Sequence, residues 1–595
     1  MSSVLARVAA FALLAVGAGC ATAPPPITKI VNGRVIETRA VSPEAYEHVT
    51  RAYLYEEEER WQEAADELQR ALPFDPDAAE VRAELAELFI RLGRRDDAAD
   101  EIARSLASAP TVEGYLAEAH LAEARSQAES KQAGDPIPPL TEAARLALAN
   151  EDPEQIEATH LELADVQIGT LDLSAALETV RRLVQAAPDT QRGRAQLAAL
   201  AWTMDARSEA QNALAAALDS EPADVEARVL LAELQVAGGQ EAQAKASFAE
   251  AIDRADAPLE IANAFAGWLV LRGELGPAQE LADRLNADVP DVDALEQAAA
   301  LERTVKRPER ALAFAERARK LGASPGRVAI MVGAALAAKD DQAGAVKSYR
   351  SVAKSDPLYF EAGLRAAELL RDKGKLADAQ KMIDAIEAVA GTATDDAHKV
   401  ELAFARSQLE EKRGDAARAA RVLDDALAEK PADRQLADRL ILERAAVDDR
   451  RGDWQKAVAR VSEILAREPR NVEALNFAGF VAADHAQDLP RAVKRLQAAM
   501  ALSPGTGGII DSLGWAYFRS GDLARADSFL EQAGRLEPAD PEILGHLGDL
   551  YAQRHERDRA LATYKRALTL SPSDRVAREL AEKLRTLDAK SAAGR

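Results

Sequence analysis

Catalysis and metal binding need titratable or nucleophilic side chains at particular spacings, and this sequence offers few such sets. Its seven histidines are His48, His120, His160, His398, His485, His546 and His555, and none falls in a HExxH arrangement. That arrangement puts two imidazoles on one helix face around a metal, with the glutamate as base. His546 and His555 stand nine residues apart with no third ligand nearby, so both read as solvated helix surface or turn. The single cysteine, Cys20, leaves no second thiolate for a Cys/His zinc site. Gly-Gly pairs at 238–239 and 507–508 open neither GxxxxGK[ST] nor GxGxxG, and no GxSxG elbow occurs. With 99 Asp and Glu residues, carboxylate pairs arise everywhere, and choosing two as acid and base would be arbitrary. No catalytic residue, metal site or cofactor is assigned, and the expectation is a protein that is not an enzyme.

Cys20 is placed where chemistry of another kind applies. Residues 1–19, MSSVLARVAAFALLAVGAG, hold one Arg7, an apolar run and then small residues. The run falls short of the ~20 apolar residues that span a bilayer and has the form of a secretory signal. No later segment is long and apolar enough to span either. The sequence VGAGC at 16–20 resembles a lipobox, the site of bacterial lipoprotein signal peptidase. Gly19 and Ala18 fit the two positions before the cysteine, and Gly17 departs from the usual aliphatic residue. The resemblance implies a Cys20 carrying several acyl chains. One chain binds a membrane only marginally, at about 0.8 kcal/mol per buried methylene, so several make a stable anchor. Ala21 after the cysteine implies sorting to the outer membrane. The alternative is ordinary cleavage after Ala23, which would release a soluble periplasmic protein.

The remaining composition bounds the architecture. Hydrophobic residues make up 48% of the chain but aromatics only 4%, so the apolar content is mostly alanine and leucine. Both are strong helix formers. A net charge of −24 argues against a nucleic-acid binder, which needs a basic surface to neutralise phosphate. After Cys20, ATAPPP is a stiff spacer, and Asn32-Gly33 between apolar-polar runs signals a hairpin. Helix is expected from Ser42-Pro43, with serine as N-cap and proline in the first position.

From there a ruler runs along the chain. Prolines that close helical runs recur with gaps of 34, as from 76 to 110, 188 to 222, 504 to 538 and 538 to 572. In the last two units the same residue types return at the same offsets. One reads Leu513, Gly514, Tyr517, Ala526 and Pro538, and the next Leu547, Gly548, Tyr551, Ala560 and Pro572. This pattern is similar to that of the tetratricopeptide repeat, or TPR, a helix-turn-helix unit. The expected fold is therefore all-α: a TPR α-solenoid, a right-handed superhelix of about fifteen units with a C-terminal capping helix. The expected organisation has a signal at 1–19, a tether and hairpin at 20–42, and an array over 43–396. A loop insertion is placed near 132–139, with a joint at GTATDD, 391–396. A second array over 397–572, a cap at 573–588 and a disordered tail at 589–595 complete it. Gly514 should lie where paired helices approach closely, since a glycine inside a helix otherwise only weakens it.

The resemblance implies where a partner would bind. First helices of stacked units line the concave face, which assigns Asn476, Phe480, Asp484, Asp511, Trp515, Arg519, Asp549 and Gln553 to a peptide or partner groove. Trp515 is not a pattern residue buried within its own unit, leaving it free to face the groove. The alternative is that Phe480 and Trp515 pack on each other inside a narrow superhelix. The run 476–518 is also similar to long Gram-negative TPR lipoproteins, some of which bring envelope substrates to a carboxyl-terminal processing protease. The implied protein is a scaffold or adaptor facing the periplasm from the outer membrane. The alternative is an assembly scaffold for secretion, polysaccharide export, pili or motility. Partners would be other proteins, with membrane contact through the lipid alone and neither nucleic acid nor metal.

Overall fold

Among the described residues, most helix pairs turn on a residue held in the left-handed region. These residues include Leu171, Asp205, Gly239, Gly273, Lys306, Asp340, Gly374, Gly414, Gly452, Ala486, Gly521 and His555. Most stand 33 to 35 residues apart, which restates the sequence ruler in backbone geometry. At each, an amide reaches back over the helix end, as from Asp522 N to Tyr517 O at 3.0 Å and from Glu556 N to Tyr551 O at 2.8 Å. This closure satisfies carbonyls that the helix end would leave bare. Glycine suits it without penalty, whereas Leu171 and Ala486 hold it at a cost of about 1–2 kcal/mol each.

The computed structural model describes residues 27–31, 34–38, 42–128, 134–287, 289–390, 395–570 and 573–593. The signal segment, Cys20, the Pro-rich spacer and Pro572 lie outside the described residues. Among the described residues are thirty-one helices, fifteen antiparallel pairs and a final one, with a single antiparallel hairpin of Ile27–Val31 and Arg34–Thr38 before them. The hairpin pairs Val31 with Arg34, as Asn32-Gly33 predicts. Ser42 caps the first helix by accepting from Ala45 N at 3.0 Å. Many later N-caps are aspartates, such as Asp172, Asp224, Asp522 and Asp540. Part of the large negative charge thus serves helix starts, where it meets the positive end of the dipole.

The chain divides into two compact units, Met1–Gln155 and Ile156–Arg595. The first is built on a core that includes Leu68, Leu85 and Phe89. Two expected boundaries shift. The loop insertion is shorter than expected, since helix Ile137–Asn150 takes Pro138 and Pro139 into its first turn. The joint expected at 391–396 lies mostly outside the described residues, and the units that follow it are enlarged. First helices Asp396–Lys412 and Arg434–Arg450 each have 17 residues, against 13 in Val472–Asp484. The last helix, Asp574–Ala593, runs through most of the segment read as a tail. It buries Val576 and Leu580 against the final pair and closes the exposed end of the core.

Within a pair, the predicted close approach is present at Gly514. A Cβ there would stand 2.8 Å from Leu530 Cγ and 2.9 Å from the Leu530 backbone nitrogen. Gly548 faces the Tyr564 ring in the same way. Leu513, Tyr517, Ala526, Leu547, Tyr551 and Ala560 are all buried in the surrounding core. Replacing Gly514 with leucine should force helices 507–520 and 523–536 apart. The expected loss is about 1–3 kcal/mol, the usual cost of overpacking. Thermal unfolding of Gly514→Leu checks this, and a melting temperature equal to the parent's would contradict it.

Candidate functional site

From helix Pro258–Leu271 onward, each first helix touches the first helix of the next unit, while no comparable contact joins successive second helices among the described residues. First helices therefore form the tighter, inner side of the stack. The groove residues sit there, on Val472–Asp484, Gly507–Ser520 and Pro541–Gln553.

At the centre is a buried cluster. Asp511 is 5% exposed, and its Oδ2 pairs with His546 Nδ1 at 2.8 Å. The Trp515 ring stacks on His546 at 4.3 Å and on Phe518 at 5.1 Å. Phe480 lies 6.1 Å from the His546 ring at a tilt. Trp515 Nε1 donates to Asp484 Oδ1 at 3.2 Å, and the Arg519 guanidinium covers the indole while pairing with the same carboxylate. Asp549 accepts from Tyr564 OH and from Lys583 Nζ, each at 2.6 Å. Burial alone would push His546 down, but the Asp511 charge and hydrogen bond, helped by Asp549, hold the imidazole above its ordinary range.

Two expectations are corrected here. Trp515 is 8% exposed and does not stand free in a groove, because the next unit's His546 and the preceding unit's Asp484 cover it. His546 is not solvated surface, whereas His555 is an exposed turn residue as read. The rim that remains accessible comprises Asp484 and Gln553, both exposed, with Asn476, Phe480, Arg519 and Asp549 half-buried. Beneath it, Asn476 Oδ1 and Asp511 Oδ1 are buried acceptors without a donor. Other histidines pair within the protein, His48 with Glu67 at 2.6 Å and His485 with Asp449 at 3.2 Å. Among the described residues no group of three His, Cys, Asp or Glu side chains could hold a metal ion, and no helix is long and apolar enough to cross a membrane.

A second feature had no counterpart in the sequence reading. First helices Gln191–Thr203 and Val225–Ala237 pack against second helices Leu489–Leu502 and Leu523–Leu536, some 300 residues further on. Trp202 and Gln532 are both fully buried at this seam, and the indole Nε1 donates to Gln532 Oε1 at 2.7 Å. Ser528 Oγ donates to Asp205 Oδ1 at 3.0 Å, and Trp268 Nε1 to Arg535 O at 3.3 Å. Arg535 Nη1 donates to Ala237 O at 2.8 Å, capping a helix end with a cation. Arg470 pairs with Asp165 at 2.5 Å. One continuous apolar core joins Leu200 and Leu234 to Met500 and Phe529. The first helices of the 191–271 stretch are therefore covered by the second helices of the 489–536 stretch, and within Ile156–Arg595 the stack closes on itself.

A family model, the tetratricopeptide repeat, matches residues 55–128 and 517–584. Those two stretches of the chain carry tetratricopeptide repeats. Its helical pairs make an all-α TPR solenoid, as the sequence resemblance implied. Solved structures similar to it include a TPR protein from Parabacteroides merdae, at 16% identity and TM-score 0.35, with 44% of this chain and 98% of that one covered. A thermophilic TPR protein of Thermus thermophilus has 24% identity and TM-score 0.28, covering 32% of this chain and 98% of that one. Yeast Tom70 has 12% identity and TM-score 0.32, covering 92% and 96%. No curated protein matches the chain in sequence.

Proposed function

We propose that this is a non-enzymatic scaffold or adaptor that holds partner proteins on first-helix surfaces of its repeats. Lipid on Cys20 tethers it to the periplasmic face of the outer membrane. The observation that carries the binding reading is the inner face of 476–553. There Asn476 Oδ1 and Asp511 Oδ1 lack donors beneath a rim of Phe480, Asp484, Arg519 and Gln553. An unsatisfied buried acceptor costs about 1–3 kcal/mol, and the backbone amides of an extended segment supply the missing donors. The proposed partners are an envelope protease and its substrates, as in the TPR lipoproteins that the 476–518 run resembles. Assembly machinery is the alternative.

In-cell crosslinking with mass spectrometry of the co-purified proteins tests this in one experiment. The full chain should capture a protease and its substrates, and Asp484→Lys should reduce recovery of both at unchanged protein level. Cys20→Ala should move the protein from the membrane pellet to the soluble fraction. Capture of an export or motility complex instead would assign the assembly role. A chain that captures no protein would remove the scaffold reading, and a Cys20→Ala variant still in the pellet would remove the lipid tether.

A further inference from the structure

The closed seam takes one stretch of inner face out of use, and the aromatic cluster fills most of another. Part of what stays open lies between them, on first helices Val292–Thr304, Pro325–Ala338 and Tyr359–Asp372. These line a cavity of about 400 Å³ whose walls include Arg303, Arg327, Arg365, Ile330, Met331 and Ala334. In a chain with net charge −24, one guanidinium from each of three successive units converges there.

Their partners differ. Arg327 is committed to Glu296, at 2.7 Å, and to Asp293. Arg365 is held by Glu361 at 2.7 Å. The Arg303 side chain is half-buried and forms no ion pair or hydrogen bond among the described residues. Loss of hydration pushes its guanidinium below the ordinary arginine value, and the Arg365 charge adds to that against the pull of Tyr349 and Glu296. A cation stripped of water beside a like charge is raised in energy, and a bound carboxylate lowers it through charge-assisted hydrogen bonds. Ala334 and the edges of the buried Ile330 and Met331 make the apolar side of the cavity, which suits an acidic side chain flanked by an aliphatic one.

We propose that the inner face of 292–372 is a second docking site, centred on Arg303, for an acidic peptide segment of a protein partner. The proposal rests on the reading that partners are proteins but concerns residues outside the 476–553 rim. The carboxylate lies against Arg303 with Arg365 beside it, and the neighbouring aliphatic side chain lies on Ala334. Inorganic phosphate offers the same charge without the aliphatic contact.

Fluorescence anisotropy of the purified full chain tests it, using a labelled peptide of alternating Glu and Leu beside one of alternating Gln and Leu. The Glu peptide should bind at least about tenfold more tightly, the scale of a desolvated charge pair. Arg303→Gln should erase that difference, and Arg303→Lys should keep part of it while losing the forked geometry. Arg421→Gln, an exposed arginine on helix Ala416–Ala428 outside both surfaces, should leave it unchanged. Equal binding of the two peptides, or an Arg303→Gln variant that binds as the parent does with an unchanged melting temperature, overturns the proposal. Displacement by phosphate at lower concentration than by unlabelled Glu peptide also overturns it, in favour of a phosphate ligand. Since the measurement uses synthetic peptides, failure here leaves capture of partners in cells as a separate result.

Discussion

Trp202→Ala is expected to open the seam and to cost about 3–5 kcal/mol, the range for deleting a large buried aromatic. The indole is fully buried between two stretches of chain some 300 residues apart, so the void cannot be filled by local shifts in one helix pair. Gln532 Oε1 would also lose its donor inside the seam, adding a penalty of about 1–3 kcal/mol. Because long repeat arrays need not unfold in one step, the first transition in urea is the quantity to follow. That transition should move to lower urea, and the radius of gyration from solution scattering should rise before it. Trp202→Phe keeps most of the packing and removes the N–H, so its loss should be smaller. An alanine variant with the parent's first transition would contradict the seam.

Asp511→Ala is expected to be nearly as damaging, by about 3–5 kcal/mol, because it strands His546 without its counter-charge. Its effect should depend on pH with a definite sign. His546 is held above its unfolded value, so its contribution is fully present below the unfolded pKa near ~6.5. It is lost as pH rises through the folded-state value. The gap between parent and variant should therefore be widest in mildly acidic buffer and narrow toward alkaline pH. Chemical denaturation across that range, followed by the fluorescence of Trp515 stacked on His546, measures it. A gap that widens with rising pH would mean the imidazole is neutral in the folded protein.

Sequence and structure part company for a physical reason. Features set inside one 34-residue unit were legible. Leu513, Gly514 and Tyr517 meet Ala526 and Leu530 of the same unit, so their spacing alone marks the contact. Ser42 and Asn32-Gly33 act over a few residues and were legible for the same cause. Turns at Leu171, Lys306 and Ala486 were not, since nothing in those side chains announces a left-handed backbone. Trp515 was misplaced because its burial comes from Asp484 and His546, which belong to the units on either side. The seam left only a faint trace. Ala498 to Ala501 are buried all around their helix, and Phe529 and Gln532 are buried on a second helix expected to show one face to solvent. An extra apolar face is visible in sequence, but not what covers it. The Arg303 cavity was hidden likewise, because its three arginines come from helices about a repeat apart.

The self-closed stack is tested most directly by one distance across the seam. Met204 and Gln497 lie side by side, with Gln497 Nε2 3.7 Å from Met204 Sδ, although 293 residues separate them in sequence. With Cys20→Ser removing the native thiol, spin labels on Met204→Cys and Gln497→Cys should give a single short separation, below roughly 25 Å after label length. An unclosed solenoid stacks its units at ~10 Å apiece, which would put the labels on the order of 60 Å or more apart. A dominant long distance in the folded protein would contradict the closure and return the 191–271 groove to the surfaces open for partners.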